Sequence, residues 1–459
     1  MSQWLSDTIA AIATAPGEAG LCIVRMSGPD ALTIADKVFS GHSQPSICQS
    51  HTVHYGHIFD PVSKDQVDEV LITIMHKPRT YTCEDVVEIS GHGGIRPGTR
   101  ILEAVIVAGA RLAGPGEFTK RAFLNGRMDL LQAEAVAEII RGRTDAAQRA
   151  GLRQLNGDFS LAINEYRSKY LELLSLIEVG IDFTEEDISE FEFSHFLSLA
   201  TPLHQSLHDL TSDARCWRTL KEGLRLLLIG RPNVGKSSLL NRFVNHERAI
   251  VDPTPGTTRD TIEEVIDFNG IPVSLIDTAG IRSSGRSIES QGVERTLREA
   301  ETCDLFLWVL DGSRELQSAD DHVYQHLDVE KTLGVLNKSD IDSVLTKDLL
   351  SHYNIEEWVQ VSALTGEGFL SLKKTLFENI VGANNIYESQ GVVNVRQLEC
   401  LDKALAHSNQ MLHLLNNEYE HEIISIEVKE VVSQLDQILG LEIGDDLLDQ
   451  IFSSFCIGK

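Results

Sequence analysis

Leu224-Arg-Leu-Leu-Leu-Ile-Gly230-Arg-Pro-Asn-Val-Gly-Lys-Ser237 joins six mostly apolar residues to the pattern GxxxxGKS, and Ser238-Leu239-Leu240 opens a helical stretch behind it. An apolar run of that length reads as a strand buried on both faces. The loop after it has the residues a phosphate chain demands. Backbone N–H groups must point inward at close range, and Gly230 and Gly235 allow that approach. Lys236 then reaches the terminal phosphates, and the Ser237 hydroxyl is placed to ligate Mg²⁺. Asn233, Val234 and Ser238 complete the cradle.

Further elements follow downstream in a fixed order. Ile271–Ile276 is strand-like and runs into Asp277-Thr278-Ala279-Gly280. There Asp277 can hold the Mg²⁺ shell through water, and the Gly280 N–H can sense a terminal phosphate. Thr261–Phe268 and Ile271–Ile276 flank Asn269-Gly270, a type I′ hairpin signal, which predicts one antiparallel edge strand on an otherwise parallel sheet. Leu333–Leu336 leads into Asn337-Lys338-Ser-Asp340, where a buried Asp340 carboxylate would accept from N1–H and the exocyclic amine of guanine. Adenine offers no such donor pair, so this position selects GTP. Trp358–Val361 leads into Ser362-Ala363-Leu364, a loop suited to backing the base. Between the first two loops, Gly256-Thr257-Thr258-Arg-Asp260 is a candidate switch, with one threonine completing the Mg²⁺ shell.

Outward from this region the sequence period changes. Residues 221–378 alternate strand-like and helical stretches, the mark of a parallel sheet covered on both faces. Residues 126–220 and 379–459 are helical. Leu131, Ala135 and Ile139 recur every fourth residue, and Val428, Val431, Leu435 and Ile438 share one stripe. Residues 1–125 are mixed, with apolar runs at Ile9–Thr14 and Leu21–Met26 separated by Pro-Gly turns. Helices on either side of an α/β unit predict insertion of 221–378 into a helical domain that spans both flanks. The alternative is three domains in series.

Composition bounds what such a chain does. Its 459 residues are 42% hydrophobic and 24% charged, as in a globular protein of about three domains. No apolar run reaches the roughly 18 residues a membrane helix needs, and the amino terminus lacks a signal-peptide pattern. Seven scattered cysteines without a CxxC pair suit a reducing cytoplasm rather than a disulfide framework. The net charge of −28 is opposite to that of a chain gripping nucleic acid by itself. Action on RNA would need a local basic patch or a partner.

The loop set, with GRPNVGKSSLLN and GTTRD, resembles a translation-factor-related group of small GTPases that includes ribosome-assembly factors. The flanks narrow this. Gly114-Pro-Gly-Glu-Phe-Thr-Lys-Arg-Ala-Phe-Leu-Asn-Gly-Arg-Met-Asp-Leu130 resembles a signature of the MnmE (TrmE) family of tRNA wobble-uridine modification GTPases. So do Gly91-His-Gly-Gly94, Asp7–Gly28, Asp182–Asp187 and the ending Phe455-Cys-Ile-Gly-Lys459.

That resemblance implies a P-loop GTPase domain inserted into a helical domain, preceded by an α+β domain that dimerises and binds a tetrahydrofolate derivative. It implies a cytoplasmic homodimer that works with a flavin-dependent partner protein to place a carboxymethylaminomethyl-type group on C5 of the tRNA wobble uridine. By matching positions, Arg25, Glu84, Arg127 and Lys459 would contact the folate, and Thr258 would join Ser237 on Mg²⁺. Hydrolysis would use K⁺ held by Asn233, Asp252, Thr254 and Thr257, with Glu289 orienting the attacking water. Asp252-Pro253-Thr254-Pro255 departs from the family pattern there, and its prolines stiffen the loop. Cys456 matches the family ending and reads either as a nucleophile beside Lys459 or as a small residue packing the tail. The rival function is a ribosome-assembly binding factor, which would be expected to carry an added basic module.

Overall fold

A computed structural model of the chain describes residues 7–142, 144–182, 190–246, 248–249, 263–268, 270–277, 303–381 and 393–459. Contacts divide it into two units, Met1–Arg141 with Gly151–His204 and Cys400–Lys459, and Gly142–Ala150 with Gln205–Glu399.

The first unit is built on a seven-stranded sheet, from β1 (Ile9–Ile12), β2 (Leu21–Ser27), β3 (Phe39–Gly41), β4 (Thr52–Phe59), β5 (Gln66–Met75), β6 (Val86–His92) and β7 (Arg111–Leu112). Its order is β3-β4-β5-β6-β2-β1-β7. All its pairings are antiparallel except β1 with β7. Along β5, Val70, Ile72 and Ile74 are buried while Leu71 is exposed, the alternation of a sheet with one covered face. The covering comes from α1 (Ala31–Val38) and α2 (Ile95–Val107), whose Ile34, Ala35, Ile101 and Val105 join those strands in one core.

Helices α3 (Glu117–Leu124), α4 (Leu130–Arg141) and α6 (Asp158–Asp182) follow in this unit, with α5 (Asp145–Asn156) and α7 (Glu190–Glu222) crossing its limits. Near the chain's end α11 (Val395–Asn416), α12 (His421–Leu439) and α13 (Asp445–Ser453) complete the helical set. The stripe Val428, Val431, Leu435 and Ile438 is wholly buried on α12, which packs along α6. Two polar pins hold α6 to its neighbours: Tyr170 OH with Ser408 Oγ on α11 at 2.8 Å, and Arg167 with Asp436 on α12.

The second unit holds β8 (Leu224–Ile229), β9 (Arg248–Ala249), β10 (Glu263–Phe268), β11 (Ile271–Asp277), β12 (Leu305–Asp311), β13 (Thr332–Asn337) and β14 (Trp358–Val361). Their order is β14-β13-β12-β8-β11-β10-β9. Five neighbouring strands are parallel. Leu224, Leu226 and Leu228 join one core and Leu227 and Ile229 the other, so β8 is buried on both faces. Helices α8 (Lys236–His246), α9 (Ser318–Tyr324) and α10 (Phe369–Val381) belong to this layer arrangement.

The hairpin forms as its sequence predicts, with Phe268 opposite Ile271 and the Gly270 N–H donating to Asp267 Oδ1 at 2.6 Å. The edge differs from expectation. β10 is antiparallel but not terminal, because two-residue β9 pairs antiparallel outside it. Two residues carry no readable period, so nothing in the sequence announces this strand.

Candidate guanine-nucleotide and anion sites

In the second unit the carboxyl ends of three strands lie level: Asp311 is opposite Asn337, and Asn337 opposite Val361. β11 ends with Asp277 opposite Leu228, just before the loop that leaves β8. Loops leaving one end of a parallel sheet are where such folds hold ligands. The phosphate-binding loop spans residues 230–235 and feeds α8, whose first turn carries Lys236 and Ser237. A helix start supplies free N–H groups and the positive end of a dipole to an anion.

Both loop glycines are required by close approach. A β-carbon at Gly230 would stand 2.3 Å from the Val309 carbonyl oxygen, and one at Gly235 2.1 Å from Asn337 Nδ2. Gly235 has φ +102°, and Asn233 takes the left-handed region at φ +66°, which asparagine tolerates. The Lys236 ammonium is buried and donates to the carbonyls of Gly230 at 2.8 Å and Arg231 at 3.0 Å. Its charge is therefore centred in the loop. Asn233, Ser237 and Ser238 are exposed.

The base-selecting loops are tied to this cradle by side chains. Asn337, buried, donates from Nδ2 to the Val234 carbonyl at 2.7 Å and accepts from the Ala363 N–H at 2.9 Å. One residue thus joins the phosphate loop to the 362–364 loop. Asp340 Oδ1 accepts from the buried Ser362 hydroxyl at 2.5 Å, which fixes the carboxylate plane. Asp340 is exposed, not buried as the sequence reading expects. Its orientation comes from Ser362 rather than from enclosure, so a base would have to provide the cover. Lys338 has φ +68° and pairs with Asp311 Oδ2 at 2.6 Å. Burial pushes the Asp311 carboxyl up, but hydrogen bonds from Lys338 and Ser313 outweigh it and hold it below the usual range.

Two contacts here escape the sequence reading. Arg242, on α8, donates from Nε to the Ala363 carbonyl at 2.9 Å and from Nη2 to that of Leu364 at 2.6 Å. Arg231 lies 3.3 Å from the buried Asp320 of α9. Nothing beside either arginine in sequence marks its partner, and only folding supplies it. Asp252, Pro253, Thr254, Pro255, Gly256, Thr257, Thr258, Thr278, Ala279, Gly280 and Glu289 lie outside the described residues. Of Asp277 only the backbone is described.

The first unit holds a separate charged cluster. Arg25 and Glu88 are opposed across β2 and β6, with Nε 2.8 Å from Oε1. The Arg25 guanidinium faces the rings of Tyr81 at 5.8 Å and Phe118 at 5.7 Å, and that of Arg127 faces Tyr81 at 5.0 Å. Tyr81 thereby gathers two cations on one ring. The chain's end arrives here too. Ile457 bridges Pro115, the Gly116 N–H donates to the Cys456 carbonyl, and Arg25 Nη1 donates to the Gly458 carbonyl at 3.2 Å. Lys459 directly follows that tethered residue. Cys456 is exposed, and Phe455 beside it is buried.

Glu84 sits in the 80–84 loop, and α3 is the element that shapes that loop. Thr119 bonds Tyr81 OH at 2.8 Å, Asn125 Nδ2 donates to the Thr82 carbonyl at 2.7 Å, and Arg127 Nη1 to that of Thr80 at 3.1 Å. Arg121 Nη1 reaches Glu84 Oε1 at 3.2 Å. Arg121 and Arg111 also grip Asp7 and Glu117. Burial raises both of those carboxyls, yet the two guanidiniums outweigh it and each ends below its ordinary value. Arg25, Glu84, Arg127 and the tail are thus brought into one neighbourhood. Two guanidiniums, one of them already paired with Glu88, and the constrained Glu84 carboxylate give this neighbourhood groups for a ligand with a carboxylate at one end and an N–H edge at the other.

A phosphate cradle at a helix start, joined by Asn337 to an Asp-bearing loop, defines a P-loop protein of the guanine-nucleotide-binding class. Family models match twice: the MnmE helical domain over residues 130–456 and the TrmE amino-terminal domain over residues 8–127. The "tRNA modification GTPase MnmE" of Thermoanaerobacter sp. (strain X514) is 44% identical over 460 residues, covering 99% of each chain. That of Lactiplantibacillus plantarum is 41% identical over 457 residues, covering 99% of this chain and 98% of the relative. Among solved structures, the G domain of the T. maritima FeoB iron transporter is 28% identical, covers 34% of this chain and 98% of that one, and has a TM-score of 0.26. The chain belongs to the MnmE (TrmE) family.

Proposed function

We propose that this chain binds and hydrolyses GTP as the switch of a tRNA-modifying complex. The carrying observation is Asn337, which couples the phosphate loop to the base-selecting loop, in a chain 44% identical over its length to a tRNA modification GTPase. Lys236 would neutralise the terminal phosphates, Ser237 and Thr258 would hold Mg²⁺, and Asp340 would accept from the guanine edge. Asn233 would hold K⁺ with Asp252, Thr254 and Thr257, supplying positive charge where the transition state develops negative charge, and Glu289 would orient water.

The reaction served is addition of a carboxymethylaminomethyl-type group to C5 of the wobble uridine. A flavin-dependent partner would take part in the cytoplasm, with a tetrahydrofolate derivative bound near Arg25, Glu84, Arg127 and Lys459. GTP would draw the G domains of a homodimer together, and the helical domain formed by residues 126–220 and 379–459 would transmit that movement. No helix among the described residues is long and apolar enough to cross a membrane.

The deciding experiment deletes the gene and digests total tRNA for mass spectrometry. Loss of the C5-modified wobble nucleosides, restored by the intact gene but not by Asp340→Ala, is the expected result. Unchanged nucleosides together with half-assembled ribosomal particles would replace this reading with the assembly factor.

A further inference from the structure

The Glu84 carboxylate is held from behind by an almost wholly buried side chain. Arg121 is 1% exposed, and its Nη1 donates to Glu84 Oε1 at 3.2 Å and to the Asp7 carbonyl at 2.8 Å. Its Nη2 donates to Asp7 Oδ1 at 2.6 Å and to Glu117 Oε1 at 3.1 Å. The other Glu84 oxygen, Oε2, accepts from Ser27 Oγ at 2.6 Å, and Ser27 in turn touches Thr82 Oγ1 at 2.6 Å. A flexible glutamate loses the freedom of its three side-chain torsions when it must meet a ligand in one orientation. Here that loss has already been taken in folding.

We infer that Arg121, with Ser27, is the positioning device that presents Glu84 to the N–H edge of a reduced folate ring. The inference rests on the folate reading of the Arg25–Glu84–Arg127–Lys459 cluster. Arg121 does not touch the ligand; it acts through Glu84. The guanidinium suits the task better than an ammonium would. Its planar fork engages Glu84, Asp7 and Glu117 through two separate nitrogens, which the single nitrogen of a lysine does not reproduce. Asp7 and Glu117 supply the countercharge that lets a guanidinium stay buried, and Arg111 balances the surplus. Within the 114–130 segment, Arg121 grips Asp7 and Glu84, Asn125 holds the Thr82 carbonyl of the 80–84 loop, and Glu117 braces Arg121 from one turn away.

The test is calorimetric binding of tetrahydrofolate, under reducing conditions, to the full chain and to Arg121→Lys, Ser27→Ala and Glu84→Gln, singly and in pairs. Arg121→Lys should weaken binding about tenfold, the scale of one charge-assisted hydrogen bond. In the Glu84→Gln background the same substitution should add nothing, because its route is already cut. A merely structural arginine would give losses that add, which overturns the inference, as would Arg121→Lys binding within about twofold of the unaltered chain. Should Arg121→Lys fail to fold by its melting curve, Ser27→Ala carries the same cycle. There, a loss of about threefold that vanishes beside Glu84→Gln supports the device, and no loss sinks it. An unaltered chain that binds no tetrahydrofolate removes the folate reading and this inference together. Binding lost in Glu84→Gln but kept in both positioning variants removes the inference alone.

Discussion

Asn337 satisfies a carbonyl of one loop and an N–H of another from a wholly enclosed position. Truncation to alanine leaves both groups without their protein partner, at about 1–3 kcal/mol each. Asn337→Ala should therefore lower the melting temperature and weaken GTP by at least about tenfold, since the 362–364 loop loses its tie to the phosphate cradle. Titration with a fluorescent guanine nucleotide reads the affinity, and binding at the native level would disprove the coupling. Asp311 makes a different prediction. Its folded-state pKa is depressed, so the stability it contributes is fully present above its unfolded value near pH 3.8 and is lost as pH falls through the lower folded value. Neutral pH lies outside that window. Asp311→Asn should flatten this part of the acid unfolding curve and leave Lys338 without its anion at all pH values. An acid limb identical to the native one would contradict the pairing.

At the scale of elements, α8 does two jobs, and its sequence discloses one. Gly235-Lys236-Ser237 at its start declares phosphate binding, because that chemistry needs those residue types in that spacing. Arg242, in its last turns, reads as an ordinary surface arginine, yet it holds two carbonyls of the base-side loop. Arg242→Ala and Arg242→Lys should both weaken guanine nucleotide by about three- to tenfold, because the fork is bidentate and lysine does not reproduce it. Full rescue by lysine would rule this out. The same contrast explains what was legible elsewhere. β8, β13 and β14 announce themselves as apolar runs, and the hairpin by Asn269-Gly270. β9 is two residues held only by its neighbour. Asp340 reads as a buried selector but sits exposed, because a motif fixes residue type and not enclosure. Arg121 reads as one basic residue in a signature, and its burial among three carboxylates emerges only when Asp7 and Glu84 come from distant parts of the chain to join Glu117 one helical turn away.

The whole molecule carries a net charge of −28, and a polyanionic substrate such as tRNA is repelled by such a surface at long range. Affinity for RNA falls with salt in proportion to the phosphates neutralised, by roughly one logarithmic unit of slope per contact on a duplex. A chain with 68 acidic and 40 basic residues should therefore bind tRNA weakly and with a shallow slope when alone. Addition of the flavin-dependent partner proposed above should raise both the affinity and the slope, if that protein supplies the cationic face. Filter binding of labelled tRNA between about 50 and 200 mM salt, with each protein separately and then together, distinguishes the cases. A steep slope for this chain alone would mean that its few lysines and arginines form a concentrated patch able to overcome the overall field. The partner would then be needed for chemistry only. A shallow slope alone that steepens on mixing assigns RNA capture to the partner. It leaves this chain the part its charge permits, which is to bind nucleotide, move, and change what the partner holds.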